Sequence, residues 1–168
     1  MQIFLIRHPR PLIDAGVCYG RLDIDCADAP HVAARLRPLL PEGTPIISSP
    51  LRRAWQLAEA LDAQARIDTR LTEIDFGEWE GQSWDDIGRD ALDAWAADVF
   101  NFSPPGGESP ARLQQRAIDF AISLAGSRVA LVTHAGVMRA LVGHWRQLPL
   151  AEWTQLKFEF GSITEIGI

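Results

Sequence analysis

Two short apolar runs near opposite ends of the chain each lead into a histidine. Residues 3–6 (IFLI) precede Arg7 and His8, and residues 129–132 (VALV) reach His134 after a single threonine. Uninterrupted apolar runs of this length predict strands that are covered on both faces, as in a parallel sheet. Because helical patterns alternate with short strands along the rest of the chain, we predict an α/β fold with three α/β/α layers and a mostly parallel sheet.

The other predicted elements follow from apolar spacing and from serine-proline pairs. Ser49-Pro50 predicts a helix start with Ser49 as the N-cap, and Ser109-Pro110 predicts a second one. In chain order, the pattern indicates a helix over 31–40, a strand over 45–48, a helix from 49 to about 64, a strand over 65–67, an irregular stretch over 70–82, helical sequence over 83–100 broken near Gly88, a loop over 103–107, a helix from 109 to about 125, a helix over 135–145 and one or two strands over 156–168. A length of 168 residues, 47% of them apolar, predicts one domain with a sizeable core.

The charges and cysteines narrow the range of partners. Lys157 is the only lysine among 16 basic residues, and 22 acidic residues bring the net charge to −6. Nucleic-acid binding usually needs a basic surface, so we expect no nucleic-acid partner, whereas arginine forks suit the phosphate or carboxylate of a small molecule. The apolar start of the chain is too short for a signal peptide or a membrane span, which predicts a cytoplasmic protein without a membrane partner. Cys18 and Cys26 lack metal-ligand spacing, so we predict neither a zinc site nor a structural disulfide.

The two strand-end histidines point to phosphoryl transfer. Ligands bind beyond the carboxyl ends of parallel strands, where His8 and His134 are expected to lie close together. A neutral imidazole attacks phosphorus, arginine forks stabilise the charge of the transferred group, and a carboxylic acid protonates the leaving oxygen. This chemistry needs no metal and no other cofactor, and no carboxylate cluster has metal-ligand spacing. His31 and His144 lack this context and are interpreted as surface or helix residues.

Five sequence blocks in a fixed order cover nearly the whole chain. They are LIRHP (5–9), SSPLRRAWQLA (48–58), LTEIDFGEWEG (71–81), PGGESPARLQQR (105–116) and VTHAGVMRAL (132–141). With these blocks the chain resembles the histidine phosphatase superfamily, in the branch of the cofactor-dependent phosphoglycerate mutases and related phosphatases. The resemblance implies a single phosphoglycerate mutase-like domain over 1–168, with a small helical lid insertion at roughly 70–108.

The resemblance also implies roles for the residues at the two strand ends. His8 stands where the family has its phosphorylated nucleophile, and Arg7 before it matches a phosphate clamp. His134 matches the second histidine, which binds phosphate and assists its transfer.

Two further catalytic residues are implied in the middle of the chain. The family has an arginine immediately before an alanine in its second block, which selects Arg53 over Arg52 as a phosphate-binding residue. Glu73 matches the general acid of the family. Glu78 and Glu80 are its nearest competitors in sequence.

The chain departs from the family pattern directly after His8. The family usually reads RHGET with an asparagine three residues further on, whereas this chain has Pro9, Arg10 and Pro11, with Asp14 at the asparagine position. A carboxylate beside phosphate is unfavourable, so we expect that Asp14 either turns outward or has a different role. Arg10 is expected to add a cation at the pocket mouth and to bind substrate.

The expected substrate is a small anionic phosphate ester. The mutases of the family are longer and have extra basic residues for a second phosphate. In this chain, Arg89 is the only basic residue of 82–104, so the resemblance favours a phosphatase. The segment GVCYGRLDIDCA (16–27) and the tryptophan-rich stretch make the chain most similar to the bacterial α-ribazole phosphatases. That similarity implies hydrolysis of α-ribazole 5′-phosphate in cobalamin biosynthesis, with Tyr19 and Arg21 as further substrate-binding residues.

Several alternatives remain open at this point. Trp79, Trp84 and Trp95 either stack on a benzimidazole-like base or simply pack the lid. Another small-molecule phosphatase, for a sugar phosphate or phosphoserine, would use the same catalytic residues, and a phosphoglycerate mutase is a further alternative. A protein phosphohistidine phosphatase is disfavoured by the LTEIDFGEWEG block. A non-catalytic phosphate-binding module is disfavoured because His8 and Glu73 are both present. The chain is expected to be a monomer or a homodimer.

Overall fold

A computed structural model describes all 168 residues as a five-stranded sheet with helices on both faces. The strands are β1 (Gln2–Arg7), β2 (Ile46–Ser48), β3 (Arg66–Ile67), β4 (Arg128–Thr133) and β5 (Ile163–Gly167), and the helices are α1 (Ala29–Leu36), α2 (Arg52–Leu61), α3 (Arg89–Ala97), α4 (Pro110–Ser123), α5 (Ala135–Trp145) and α6 (Leu150–Trp153). The strand order is β3-β2-β4-β1-β5, and only the pairing of β1 with β5 is antiparallel. The predicted α/β fold with a mostly parallel sheet is confirmed.

Alternate side chains of β1 serve two different cores. Ile3 and Leu5 pack with residues of α4 and α5, whereas Phe4 and Ile6 pack with residues of α1 and α2. All four side chains are at most 3% exposed. A strand that is apolar on both faces has to be covered on both faces, so the three layers follow from the uninterrupted apolar run.

The register of β1 and β4 determines where the two histidines lie. Arg7 pairs with Thr133 at the last position of both strands. The amide of His8 then donates to the carbonyl of Thr133 at 3.0 Å. His8 and His134 therefore leave the sheet at the same edge, each one residue beyond the paired strand ends.

The structure corrects the predicted start of the second helix. α2 begins at Arg52, and the residue at its N-cap is Leu51, not Ser49. The hydroxyl group of Ser49 contacts His134 instead. The second serine-proline pair behaves as predicted, since Ser109 accepts a hydrogen bond from the amide of Arg112 at the start of α4.

Two predicted elements, over 83–100 and over 156–168, are shorter than expected. Within 83–100 only α3 is an α-helix. The amide of Trp84 donates to the carbonyl of Gly16, and the residues between Trp84 and the start of α3 form turns. Within 156–168 only β5 is a strand. The chain before β5 turns at Gly161, whose amide donates to the carbonyls of Arg7 and His8. The short helix α6 was not predicted.

The segment between β3 and α4 shares a small core with the loop between β1 and α1. This third cluster contains the buried side chains of Cys18, Trp79 and Ile87. The segment includes α3 and the 3₁₀ turn Gly77–Trp79, and its description as a lid at roughly 70–108 stays a prediction. None of the helices is long and apolar enough to cross a membrane.

Candidate active site

His8 is held with one ring nitrogen free. The side chain is 2% exposed, and its Nδ1 lies 2.6 Å from the carbonyl oxygen of Pro9. A carbonyl oxygen only accepts, so the ring proton is on Nδ1 and the lone pair of Nε2 is available. Burial, and then the positive charges of Arg53 and Arg7, lower the pKa of His8 to about 3. The imidazole is therefore neutral and in the tautomer that a nucleophile requires.

His134 lies beside His8 at the N-terminus of α5. The two ring centroids are 5.0 Å apart, and the His134 side chain is fully buried. Its Nε2 lies 2.7 Å from Oγ of Ser49, which itself accepts the amide of Leu51 at 3.3 Å. When the serine hydroxyl donates to Nε2, the ring proton of His134 is on Nδ1. Burial, followed by the charges of His8 and Arg53, lowers the pKa of His134 well below the usual range.

Arg7 and Arg53 are fixed by backbone carbonyls and aromatic rings. Arg7 donates to the carbonyl of Phe158 at 2.6 Å, and its guanidinium carbon lies 3.7 Å from the centroid of the Phe160 ring. Arg53 is fully buried and donates to the carbonyls of Gly20 and Leu22. Burial lowers the pKa of both guanidinium groups.

Three buried nitrogen atoms at this site have no hydrogen-bond partner. They are Nε of Arg7, Nε of Arg53 and Nδ1 of His134, and only one other buried side-chain atom in the chain, Oγ of Ser162, is also without a partner. A buried donor without a partner is costly and needs an explanation. All three atoms can donate to the oxygens of an anion such as phosphate, which would satisfy them.

Glu73 is positioned by main-chain amides. Its carboxylate accepts the amide of Ile74 at 3.0 Å and the amide of Gly136, in the first turn of α5, at 3.1 Å. The backbone carbonyl of Glu73 accepts a hydrogen bond from Nη2 of Arg116 at 3.1 Å. Arg116 also forms a bidentate pair with Glu108, with both distances 2.8 Å, so the loop carrying Glu73 is tied to α4.

The two competing glutamates have other environments. Glu78 is exposed, and its side chain makes no hydrogen bond. Glu80 accepts the amides of Arg21, Leu22 and Phe76, and it therefore joins two chain segments rather than facing a substrate. Neither of them lines the pocket that contains Glu73 and His8.

The pocket at the strand ends has a volume of about 270 Å³. Of the residues predicted from the sequence, Arg7, His8, Tyr19, Glu73 and Trp84 line it, with His134 and Arg53 buried next to His8.

Three other residues singled out in the sequence lie outside this pocket. Arg10 is exposed, with its guanidinium carbon 5.3 Å from the centroid of the Phe160 ring. Arg21 lies 3.5 Å from a carboxylate oxygen of Asp75 and 3.6 Å from one of Glu108, and its substrate-binding role, like that of Arg10, stays a prediction. Asp14 is exposed, so of the two expectations for this residue the outward orientation holds.

The tryptophans mainly pack against one another. Trp84 and Trp95 are stacked with ring centroids 5.8 Å apart, and the buried Trp79 stacks on Phe102 at 5.7 Å. Trp84 alone among the three tryptophans also lines the pocket at the strand ends. Packing is therefore the role of Trp79, whereas Trp84 has one side available to a ligand.

Five residues that shape the site were not predicted from the sequence to be site residues. They are Ser49, Glu108, Arg116, Gly136 and Arg139. All of them lie inside the five sequence blocks, so membership of a block is the sequence signal that could have identified them. Their contacts join residues far apart in the chain, such as Glu73 with Gly136. In the whole chain, no group of three or more histidine, cysteine, aspartate or glutamate side chains is arranged to hold a metal ion.

Comparison with protein families and curated proteins gives a consistent result. The model of the histidine phosphatase superfamily (branch 1) matches residues 3–168. The glucosyl-3-phosphoglycerate phosphatase of Mycolicibacterium vanbaalenii is 33% identical, with 92% of this chain and 78% of the relative covered. A Hydrogenobacter thermophilus protein named as a candidate phosphoserine phosphatase is 30% identical, with 98% and 88% covered.

Solved structures agree with the sequence relatives. A mycobacterial glucosyl-3-phosphoglycerate phosphatase superposes with a TM-score of 0.84 at 28% identity, covering 98% of this chain and 88% of that one. A Thermus thermophilus protein superposes with a TM-score of 0.80 at 32% identity, covering 99% and 93%. None of these four proteins is named as an α-ribazole phosphatase, so the comparisons leave the leaving alcohol open.

Proposed function

This chain belongs to branch 1 of the histidine phosphatase superfamily and is a phosphoric monoester hydrolase, and we propose that it acts through a phosphohistidine formed on His8. The observation that carries this proposal is the free Nε2 of a buried, neutral His8. Three buried nitrogen donors without partners lie on the residues around it. A nucleophile and an anion site are thus present together.

Binding of the phosphate group would satisfy the three unpartnered donors. The Nε–H groups of Arg7 and Arg53 and the Nδ1–H of His134 would donate to the phosphate oxygens. Hydrogen bonds between charged groups are stronger than neutral ones, and the transferred group concentrates its charge on its equatorial oxygens. The same donors that bind the ester therefore stabilise the transition state.

In the first step, Nε2 of His8 attacks phosphorus and the bond from phosphorus to the leaving oxygen breaks. Glu73 donates its carboxyl proton to that oxygen, so the alcohol leaves in neutral form. The products of this step are phosphohistidine at His8, the free alcohol and the carboxylate of Glu73. The amides of Ile74 and Gly136 are placed to stabilise this carboxylate.

In the second step, a water molecule attacks the phosphorus of the phosphohistidine. The carboxylate of Glu73 accepts a proton from the water, and the bond from phosphorus to Nε2 of His8 breaks. Inorganic phosphate leaves, and both side chains return to their starting forms. A single carboxyl group thus serves as acid and then as base.

For the leaving alcohol we propose the nucleoside of α-ribazole 5′-phosphate, in cobalamin biosynthesis. Tyr19, Phe76 and Trp84 line the pocket and offer aromatic surface to a flat base. A mutase acting on a second phosphate is disfavoured, because Arg89, the one basic residue of 82–104, lies at the surface and pairs with Asp93 at 3.0 Å.

The second candidate is an ester whose alcohol carries a carboxylate, such as glucosyl-3-phosphoglycerate or phosphoserine. Arg139 lines the pocket and donates through Nε to the carbonyl of Leu156 at 2.8 Å. Its two terminal nitrogens make no hydrogen bond or ion pair, so they are free to bind a carboxylate. The names of the relatives point in the same direction.

A substrate panel separates these possibilities. Initial rates are measured on α-ribazole 5′-phosphate, glucosyl-3-phosphoglycerate, phosphoserine and glycerol 2-phosphate with the wild type and with Arg139→Gln. The first proposal predicts the highest kcat/KM for α-ribazole 5′-phosphate in both proteins. Preference for the carboxylate esters, lost in Arg139→Gln, selects the second candidate. Phosphate binding without turnover of any ester would indicate a non-catalytic binding module.

A further inference from the structure

An apolar groove of about 480 Å³ opens beside the catalytic pocket. Side chains of α3, α4 and α6 and of the α3–α4 connection form its wall: Trp95, Val99, Phe100, Leu113, Leu150 and Trp153. We infer that this groove binds a cyclic apolar group, aromatic or alicyclic, carried by the leaving alcohol. The inference rests on the proposed hydrolysis of phosphate esters and names the class of ester.

The groove begins where the leaving oxygen is protonated. It shares Ile74, Phe76, Gly136 and Arg139 with the catalytic pocket. Two of these residues, Ile74 and Gly136, donate the amide hydrogen bonds that hold the carboxylate of Glu73. Because Glu73 protonates the departing alcohol, the rest of that alcohol extends from this point into the groove.

The wall of the groove selects against a strongly polar alcohol. Apart from Arg139 at its entrance, only Thr154 and Gln155 bring polar side chains to it. A sugar would give up hydrogen bonds to water that these few groups do not replace, whereas an apolar ring loses only unfavourable contact with water. Val99 and Leu150 are 46% and 43% exposed, so apolar surface is left for a ligand to cover.

Two phosphate esters of primary alcohols test this inference, namely 2-(2-naphthyl)ethyl phosphate and n-propyl phosphate. Their leaving groups are of similar basicity, so a difference in kcat/KM reports binding of the ring. We expect the wild type to prefer the naphthyl ester by at least about 10-fold, since even one methylene group in an apolar pocket is worth about that factor. Equal kcat/KM for the two esters would overturn the inference while leaving the phosphatase reaction intact.

Variants locate the preference in the groove. Leu150→Glu and Val99→Glu place a carboxylate in the wall at two exposed positions of different segments, and each should lower the naphthyl-to-propyl ratio of kcat/KM about 10-fold. Leu39→Glu, at a leucine 54% exposed and outside the groove, is the matched control and should leave the ratio unchanged. A preference that survives both groove variants would overturn the assignment. Hydrolysis of an ester of the panel above but of neither of these two would also overturn the inference, whereas hydrolysis of none of the six esters would mean that the proposed function itself fails.

Discussion

The carboxylate of Glu73 accepts the backbone amide of Gly136 at 3.1 Å, and a methyl group at position 136 would lie 2.3 Å from its Oε1. The proposed acid is therefore packed directly onto the first turn of α5, the helix that begins after His134. The proposed nucleophile His8, His134 and the proposed acid Glu73 therefore all lie at the same edge of the sheet.

This close approach makes Gly136 a sensitive position. We expect Gly136→Ala to displace the Glu73 carboxylate and to lower kcat/KM for an alkyl phosphate, which reports the phosphoryl-transfer step, by roughly 100-fold, the usual scale of general acid catalysis. The loss should be much smaller for 4-nitrophenyl phosphate, whose leaving group needs little protonation. Gly88→Ala is the control, because a methyl group there meets no atom within 4 Å. Equal losses on the two esters would argue against this positioning role.

Direct substitution of the acid should show the same dependence on the leaving group. Glu73→Gln keeps the size of the side chain but has no proton to donate, so kcat/KM for alkyl esters, which reports the phosphoryl-transfer step, should fall by roughly 100-fold or more. The value of kcat/KM for the 4-nitrophenyl ester should be nearly unaffected. Glu78→Gln, at an exposed residue of the same segment, should behave like wild type on both esters. A leaving-group effect at Glu78 would move the acid to that position.

The two strand-end histidines show which features of the site can be predicted from the sequence. Apolar runs indicate buried strands, and parallel strands end at a common edge, so the closeness of His8 and His134 was predictable without a structure. The tautomers were not, because they depend on the Pro9 carbonyl and on the Ser49 hydroxyl. The pattern around Ser49 equally suits a helix N-cap, and only the position of His134 decides between the two uses.

Long-range polar contacts are the main features that the sequence could not supply. Glu73, Glu78 and Glu80 are equivalent by residue type and separated by a few positions. The family resemblance selects Glu73, but a physical difference between the three arises only when amides from elsewhere in the chain bind two of them, such as the amide of Gly136 at Glu73. The stacking of Trp84 on Trp95 was also not predictable, because the turns that follow Trp84 were predicted to be helical.

The buried neutral histidines should make folding stability dependent on pH. The pKa of His8 is about 3 in the folded chain, and that of His134 is also lowered, against about 6.5 in an unfolded chain. Below pH 6.5 the unfolded chain binds protons that the folded chain does not, so the free energy of unfolding falls as the pH falls. Each histidine contributes a slope of up to about 1.4 kcal/mol per pH unit.

Urea unfolding between pH 7 and pH 4.5 measures this slope. Replacing His134 by Gln removes one titrating group, so the free energy of unfolding should depend less steeply on pH than in the wild type. The exposed His31 provides the matched control, and His31→Gln should keep the wild-type slope. A wild-type slope in His134→Gln would mean that this histidine is protonated in the folded state.

Activity should be independent of added metal ions. In the proposed mechanism, arginine and histidine donors supply the charge stabilisation that metal ions supply in other phosphoryl transferases. We expect full activity after exhaustive chelation and inhibition by vanadate, which resembles five-coordinate phosphorus. Loss of activity with EDTA that Mg²⁺ restores would contradict this expectation.

The central claim is the covalent intermediate on His8, and rapid-quench labelling with a ³²P-labelled ester tests it most directly. Under single-turnover conditions the wild type should form a protein-bound phosphoryl group that is labile in acid and stable in base, and that appears and decays within one turnover. His8→Asn should form none, whereas the control His144→Asn should label like the wild type. An adduct that persists in His8→Asn, or release of phosphate by the wild type with no adduct, would contradict the account.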